Sequence, residues 1–173
     1  MDLPIRKRNR LDEWNYGNNG GYFLTLCVQN RMRILSRIDV GDGSPVPLDE
    51  SDMPFAILTC YGKIVDDYIR RIPEKYPCIR IENYVVMPNH IHILAIVDNG
   101  VIGTGDPSPT IGQMMAWFKY QTTKEINAVR NMPGQKVWQR SYHDHIIRGL
   151  QDYFEIMTYI DENPLRWNKD CYY

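Results

Sequence analysis

The chain has 173 residues, 43% hydrophobic and 24% charged, the balance of one soluble domain long enough to bury a core. A net charge of −1 argues against a uniformly basic nucleic-acid binder, and no apolar run reaches the length of a membrane span. The expectation is a single domain over residues 1–173, cytoplasmic by default.

Charge is nevertheless uneven. Residues 1–40 hold seven Lys/Arg against four Asp/Glu, and residues 111–150 hold six against two, so two basic regions can form one face after folding. Cys27, Cys60, Cys78 and Cys171 are far apart and make no C-x-x-C pair, which leaves reduced, partly buried thiols rather than a zinc knuckle or redox motif.

In chain order, residues 1–20 form a basic N-terminal segment with Arg6, Lys7, Arg8 and Arg10, and no apolar stretch of a signal peptide follows it. Residues 16–21 are turn formers, and 22–28, rich in aromatic and β-branched residues, predict the first strand. Arg31-Met32-Arg33 and the Gly/Asp/Pro-rich stretch 39–50 read as an exposed loop. Asp52 as N-cap and Pro54 in a first turn predict a helix carrying Leu58, Tyr61, Ile64, Val65, Tyr68, Ile69 and Ile72 on one face, stopping before Pro73.

Residues 78–82 and a hairpin turning at Pro88-Asn89 then predict the middle of a sheet. The second hairpin strand opens with His90-Ile91-His92. Side chains alternate along a strand, so both histidines point the same way, roughly 7 Å apart, and two imidazoles so placed can share a divalent cation. Ile91, Ile93, Ala95 and Val97 make the other face apolar enough to bury under helices. A His-x-His in a strand is more often plain core or surface, so it needs a third ligand and a chemical partner.

Residues 98–110 are breakers and predict a loop. Thr110 then caps a helix with apolar positions Ile111, Met114, Met115, Phe118, Ile126 and Val129, closed by Asn131-Met132-Pro133-Gly134. Residues 137–140 and 142–147 predict one or two last strands. His143 and His145 there form a second His-x-His, less favoured because the first sits in a more apolar hairpin. Trp138 and Tyr142 are candidates to stack on an unpaired base, with a buried packing role as the alternative.

A third helix is expected from near Asp152 to about Glu162, with Tyr153, Ile156, Met157 and Ile160 as its apolar stripe. Tyr159 and Asn163 lie about 110° and 70° off the centre of that stripe on one side, where both can face a site beside the core. Tyr153, at the centre, is the structural tyrosine.

A cation, a phenol on a helix edge and basic patches suit phosphodiester transesterification. A phenol is a weak nucleophile, and attack on a phosphate polarised by a metal relieves that deficit and leaves a covalent 5′-phosphotyrosine. Asn163, one turn from Tyr159, can supply a third ligand through its amide oxygen. Arg6, Lys7, Arg8, Arg10, Lys119, Lys124 and Arg140 are candidates to hold DNA phosphates, each weak alone.

Pro4-Ile5-Arg6-Lys7-Arg8-Asn9-Arg10-Leu11, Gly21-Tyr22-Phe23-Leu24-Thr25-Leu26-Cys27, Met87-Pro88-Asn89-His90-Ile91-His92-Ile93-Leu94, Trp138-Gln139-Arg140-Ser141-Tyr142 and Tyr159-Ile160-Asp161-Glu162-Asn163-Pro164 resemble, in order, the REP-associated tyrosine transposases, which are single-tyrosine HUH transposases. The resemblance implies His90 and His92 as the metal-binding pair, Tyr159 as the catalytic tyrosine and Asn163 as the residue completing the metal site. It implies an α+β fold, a ferredoxin-like or RRM-like antiparallel sheet with helices packed on it, and a magnesium or manganese cofactor. The implied substrate is single-stranded, hairpin-forming DNA from repetitive palindromic elements, handled by a monomer, although shorter relatives are dimers. The loops 39–50 and 98–110 match no motif, and His143 stands where the pattern leads one to expect an aromatic residue. The alternatives are a non-catalytic RRM-like nucleic-acid-binding module and an inactive, domesticated relative.

Overall fold

The computed structural model describes residues 19–39, 55–101 and 109–169. The basic segment with Arg6, Lys7, Arg8 and Arg10, the Asp52–Pro54 cap, most of the two predicted loops and Cys171 lie outside the described residues.

Four strands form the main sheet: β1 (Gly20–Cys27), β4 (Ile79–Val86), β5 (His90–Val97) and β6 (His143–Ile146), in the order β4-β5-β1-β6 and antiparallel throughout. Between β1 and β4 come the small pair β2 (Ser36–Asp39) and β3 (Phe55–Leu58), then helices α1 (Cys60–Arg70) and α2 (Ile72–Lys75). Helix α3 (Ile111–Val129) links β5 to β6, and α4 (Leu150–Glu162) follows β6. The β-α-β-β-α-β order of the main elements is ferredoxin-like, so the expected α+β antiparallel architecture is what the chain adopts.

Alternation divides the sheet into two faces. Tyr22, Leu24 and Leu26 of β1 and Ile91, Ile93, Ala95 and Val97 of β5 join Val65 and Ile69 of α1 and Met114, Met115 and Phe118 of α3 in the main core. The other face carries Phe23, Leu94 and Val85 and is covered by Tyr153, Ile156, Met157 and Ile160 of α4. A bulge between Ile81 and Asn83 in β4 shifts its alternation by one, so that Ile79 and Ile81 before it and Tyr84 and Val86 after it all serve the main core.

The first predicted helix begins later than the Asp52 cap implied. Residues 55–58 pair with 36–39 as strand β3, and Thr59 is the N-cap: its hydroxyl accepts from the Gly62 N–H at 3.1 Å and donates to the carbonyls of Ile34 and Leu35. Gly62 permits that docking, because a Cβ there would stand 2.0 Å from the Leu35 carbonyl oxygen. The helix does stop before Pro73, at Arg70, and the proline belongs to the next, short helix. It lies in the first turn of α2, where its missing N–H costs nothing.

Thr110 caps α3 as expected, in a reciprocal capping box with Gln113. Val129 at its end is exposed instead of apolar-facing. Cys27 and Cys78 are buried cysteines, and Cys60 is an exposed one. Among the described residues no helix is long and apolar enough to cross a membrane.

Candidate active site

The turn Met87-Pro88-Asn89 is pinned by backbone hydrogen bonds from Val28 N–H to Asn89 C=O (2.8 Å) and from Leu35 N–H to Pro88 C=O (3.0 Å). It delivers His90 and His92 onto β5, opposite Cys27 and Thr25 of β1. Both imidazoles are buried, 0% and 1% exposed, and their Nε2 atoms converge to 3.1 Å.

The outer nitrogens are held. His90 Nδ1 lies 2.8 Å from Asn89 Oδ1 and His92 Nδ1 lies 2.8 Å from Thr25 Oγ1. An amide oxygen only accepts, so His90 carries its proton on Nδ1 and presents the Nε2 lone pair inward. The Thr25 hydroxyl both donates and accepts, and so serves either tautomer of His92. Burial, and secondarily the neighbouring His90, hold His92 well below the ordinary imidazole pKa, in its neutral, ligand-competent form.

Helix α4 brings the phenol. The Tyr159 ring sits 5.2 Å from the His92 ring, centroid to centroid, and 5.8 Å edge-on from Phe23, which itself stacks on His92 at 5.1 Å. Tyr159 is 36% exposed, so solvent and substrate reach a residue whose ring rests against a buried histidine.

Asn163 is the C-cap of α4, one turn further on. It is 3% exposed and its amide oxygen has no hydrogen-bond partner. A buried acceptor left unsatisfied is costly and rare, and here it belongs to the residue with ligand spacing from Tyr159. The chain stays nearly helical past Pro164, with Arg166 N–H donating to the carbonyls of Glu162 and Asn163. A 3-10 turn, Trp167–Lys169, then brings the Trp167 ring to 6.1 Å from the His90 ring. Tyr159 against His92 and Trp167 against His90 thus bracket Asn163.

The helix is latched in place by the β4 bulge. Asn83 donates to Asp161 at 2.8 Å and the Tyr153 hydroxyl donates to Glu82 at 3.1 Å. At its other end Asp152 accepts from Arg148 N–H and from His145 Nε2, both within 2.9 Å, and these contacts lower its pKa.

Two clefts meet at Tyr159. One, of about 530 Å³, is lined by Tyr159, Asn163, Arg166 and Lys169. The other, of about 410 Å³, runs along the outer face of α4 past Phe154, Thr158, Tyr159 and Arg166. Arg166, which pairs with Glu162, and Lys169 lie past the helix end expected near Glu162. Continuing the i, i+4, i+7 pattern from Tyr159 through Asn163 would have reached Arg166.

Of the residues expected from sequence, His90, His92, Tyr159 and Asn163 come together. His143 and His145 lie exposed on the edge strand, where His145 is engaged with Asp152. Lys119 and Lys124 are on α3, across the sheet from the histidines, and Lys119 Nζ donates to the carbonyls of Gln139 (2.5 Å) and Arg140 (3.0 Å). Its ammonium is a tether, and burial lowers its pKa. Arg140 is exposed. Trp138 is buried, its indole N–H donating to Thr122 at 2.8 Å, and Tyr142 packs on the main core, so the packing alternative holds for both.

The donor set suits a divalent cation: two imidazole nitrogens already converged and, one helical turn from Tyr159, an amide oxygen with no hydrogen-bond partner, with further positions left for water and phosphate oxygens. Among the described residues no third His, Cys, Asp or Glu joins the pair.

No family model matches the chain. An uncharacterized protein of Haemophilus influenzae is 30% identical over 182 residues, covering 97% of this chain and 93% of its own. Among solved structures, that of a REP-associated tyrosine transposase bound to a REP hairpin superposes with a TM-score of 0.54 at 19% identity, over 96% of this chain and 74% of the other.

Proposed function

We propose, for a chain that belongs to one family with the Haemophilus influenzae protein and has the fold of a REP-associated tyrosine transposase, that it is a DNA-processing enzyme of the transposase type. In this reading it nicks and rejoins single-stranded DNA through a covalent 5′-phosphotyrosine on Tyr159.

The Tyr159 hydroxyl oxygen bonds to phosphorus, the bond from phosphorus to the 3′-oxygen breaks, and that oxygen leaves with a proton as a 3′-hydroxyl. A 3′-hydroxyl of the same or another strand reverses the step. His90, His92 and Asn163 would hold a magnesium or manganese ion, which when bound supplies Lewis-acid polarisation of the phosphate. Arg166 and Lys169 line the cleft in which that phosphate would lie. Arg6, Lys7, Arg8, Arg10, Lys124 and Arg140 remain candidates for holding the flanking DNA, whereas Lys119 is committed to backbone carbonyls. The likeness to a transposase bound to a REP hairpin supports hairpin-forming DNA as substrate.

The observation that carries the reading is the Tyr159 ring resting on His92, with the unpaired Asn163 amide oxygen one turn away in the same cleft. A sheet-face nucleic-acid binder of the RRM type needs its platform open, and here α4 covers that face through Leu94, Ile156 and Ile160.

The test is to incubate the protein with end-labelled single-stranded hairpin DNA and manganese or magnesium and to resolve the products under denaturing conditions. A covalent adduct is expected for the wild type and none for Tyr159→Phe. An adduct that survives Tyr159→Phe moves the nucleophile elsewhere, and binding without an adduct on any hairpin favours the non-catalytic readings.

A further inference from the structure

Phe154 is a large apolar side chain left 61% exposed on α4. Its ring meets Tyr153 edge-on at 5.5 Å, and Tyr153 is itself anchored by its hydroxyl to Glu82.

Phe154 also shares the 410 Å³ cleft with Tyr159 and Arg166. That cleft therefore offers, side by side, a flat apolar face, the phenol and a guanidinium, together with the carboxylates of Glu155 and Glu162. Glu162 is paired with Arg166, and Glu155 accepts from Gln151 at 2.9 Å.

We propose that Phe154 is a stacking platform for one unpaired base of the single-stranded DNA, next to the phosphate that Tyr159 attacks. The assignment of that neighbouring phosphate rests on the function proposed above. The occupant is an unpaired nucleotide because the cleft couples a π-face to a guanidinium, the combination of stacking and cationic contact that single-strand binders use without reading sequence. It is also continuous with the site: Tyr159 and Arg166 line both clefts. A second copy of the chain could cover an apolar face but would have no need of the guanidinium beside it.

The test uses the full chain and two fluorescein-labelled probes, a single-stranded oligothymidylate and the same backbone with abasic residues, compared by fluorescence anisotropy. Wild type should bind the oligothymidylate more tightly. Phe154→Ala and Phe154→Leu should weaken that binding by roughly tenfold while leaving the abasic probe unchanged, and Phe154→Trp should preserve the preference. Equal affinities of wild type and Phe154→Ala for the oligothymidylate, or an equal loss on both probes, overturn the proposal. So does light scattering that shows a dimer dissolved by Phe154→Ala. Tyr159→Phe separates the two ideas: it should abolish the adduct and keep the base preference, so an adduct that persists there defeats the nucleophile assignment and not the platform.

Discussion

At the scale of single residues, the site is held by hydrogen bonds behind the histidines. Thr25 touches His92 and not the cleft, yet its hydroxyl is the group that lets His92 switch its proton between ring nitrogens. Thr25→Val keeps the shape and removes the switch. We expect metal affinity, measured by calorimetry, to fall about 10- to 100-fold with folding intact. Protonation gives a second expectation. His92 is held neutral in the folded protein, whereas in the unfolded chain it takes a proton below about pH 6.5. Below that value the unfolded state binds more protons, so metal-free protein should lose stability as pH falls, by up to about 1.4 kcal/mol per pH unit from this group. Denaturant titrations in chelator across pH 5–8 check this, and His92→Gln should flatten the slope. The histidine pair was legible because strand alternation alone fixes its geometry. Asn163 was legible through helical spacing from Tyr159, while Arg166 and Lys169 were hidden behind a proline that the backbone passes without breaking its turn.

At the scale of elements, α4 is the part on which the proposed chemistry depends, and it covers the sheet through the small cluster of Leu94, Ile156 and Ile160. Ile160 is buried against Leu94. Ile160→Ala should destabilise the protein by about 2–5 kcal/mol and lower adduct yield further than global unfolding accounts for, because it loosens the helix that carries Tyr159. Thermal melts read beside the adduct assay separate the two effects. The α4 stripe and the Thr110 cap were readable because their periodicity and cap chemistry are local. The start of α1 was not: Asp52 and Pro54 mimic a helix start, and only pairing with residues 36–39, distant in sequence, makes 55–58 a strand. The same holds for β2, whose four residues carry little pattern without their partner.

At the scale of the whole molecule, one face of the sheet holds the main core with α1 and α3, and the other holds the candidate site with α4. Tyr159 reaches His92 of its own chain, and the proposed chemistry is therefore expected to run within one chain. The adduct formed per protein molecule should stay constant as protein is diluted with DNA in excess. A yield that falls with dilution below an oligomer's dissociation constant would show that histidines and tyrosine meet across two chains.

The bulge in β4 carries a consequence for how this gene can vary. Because the bulge absorbs one extra residue between Ile81 and Tyr84, deleting the codon for Glu82 would leave a strictly alternating strand with Ile79, Ile81, Tyr84 and Val86 still on one layer. It would also remove the carboxylate that anchors Tyr153. A single in-frame deletion there should therefore be better tolerated by the fold than one at Arg80 or Val85, which inverts part of the strand, and a deletion scan of 79–86 should show soluble yield retained at that position.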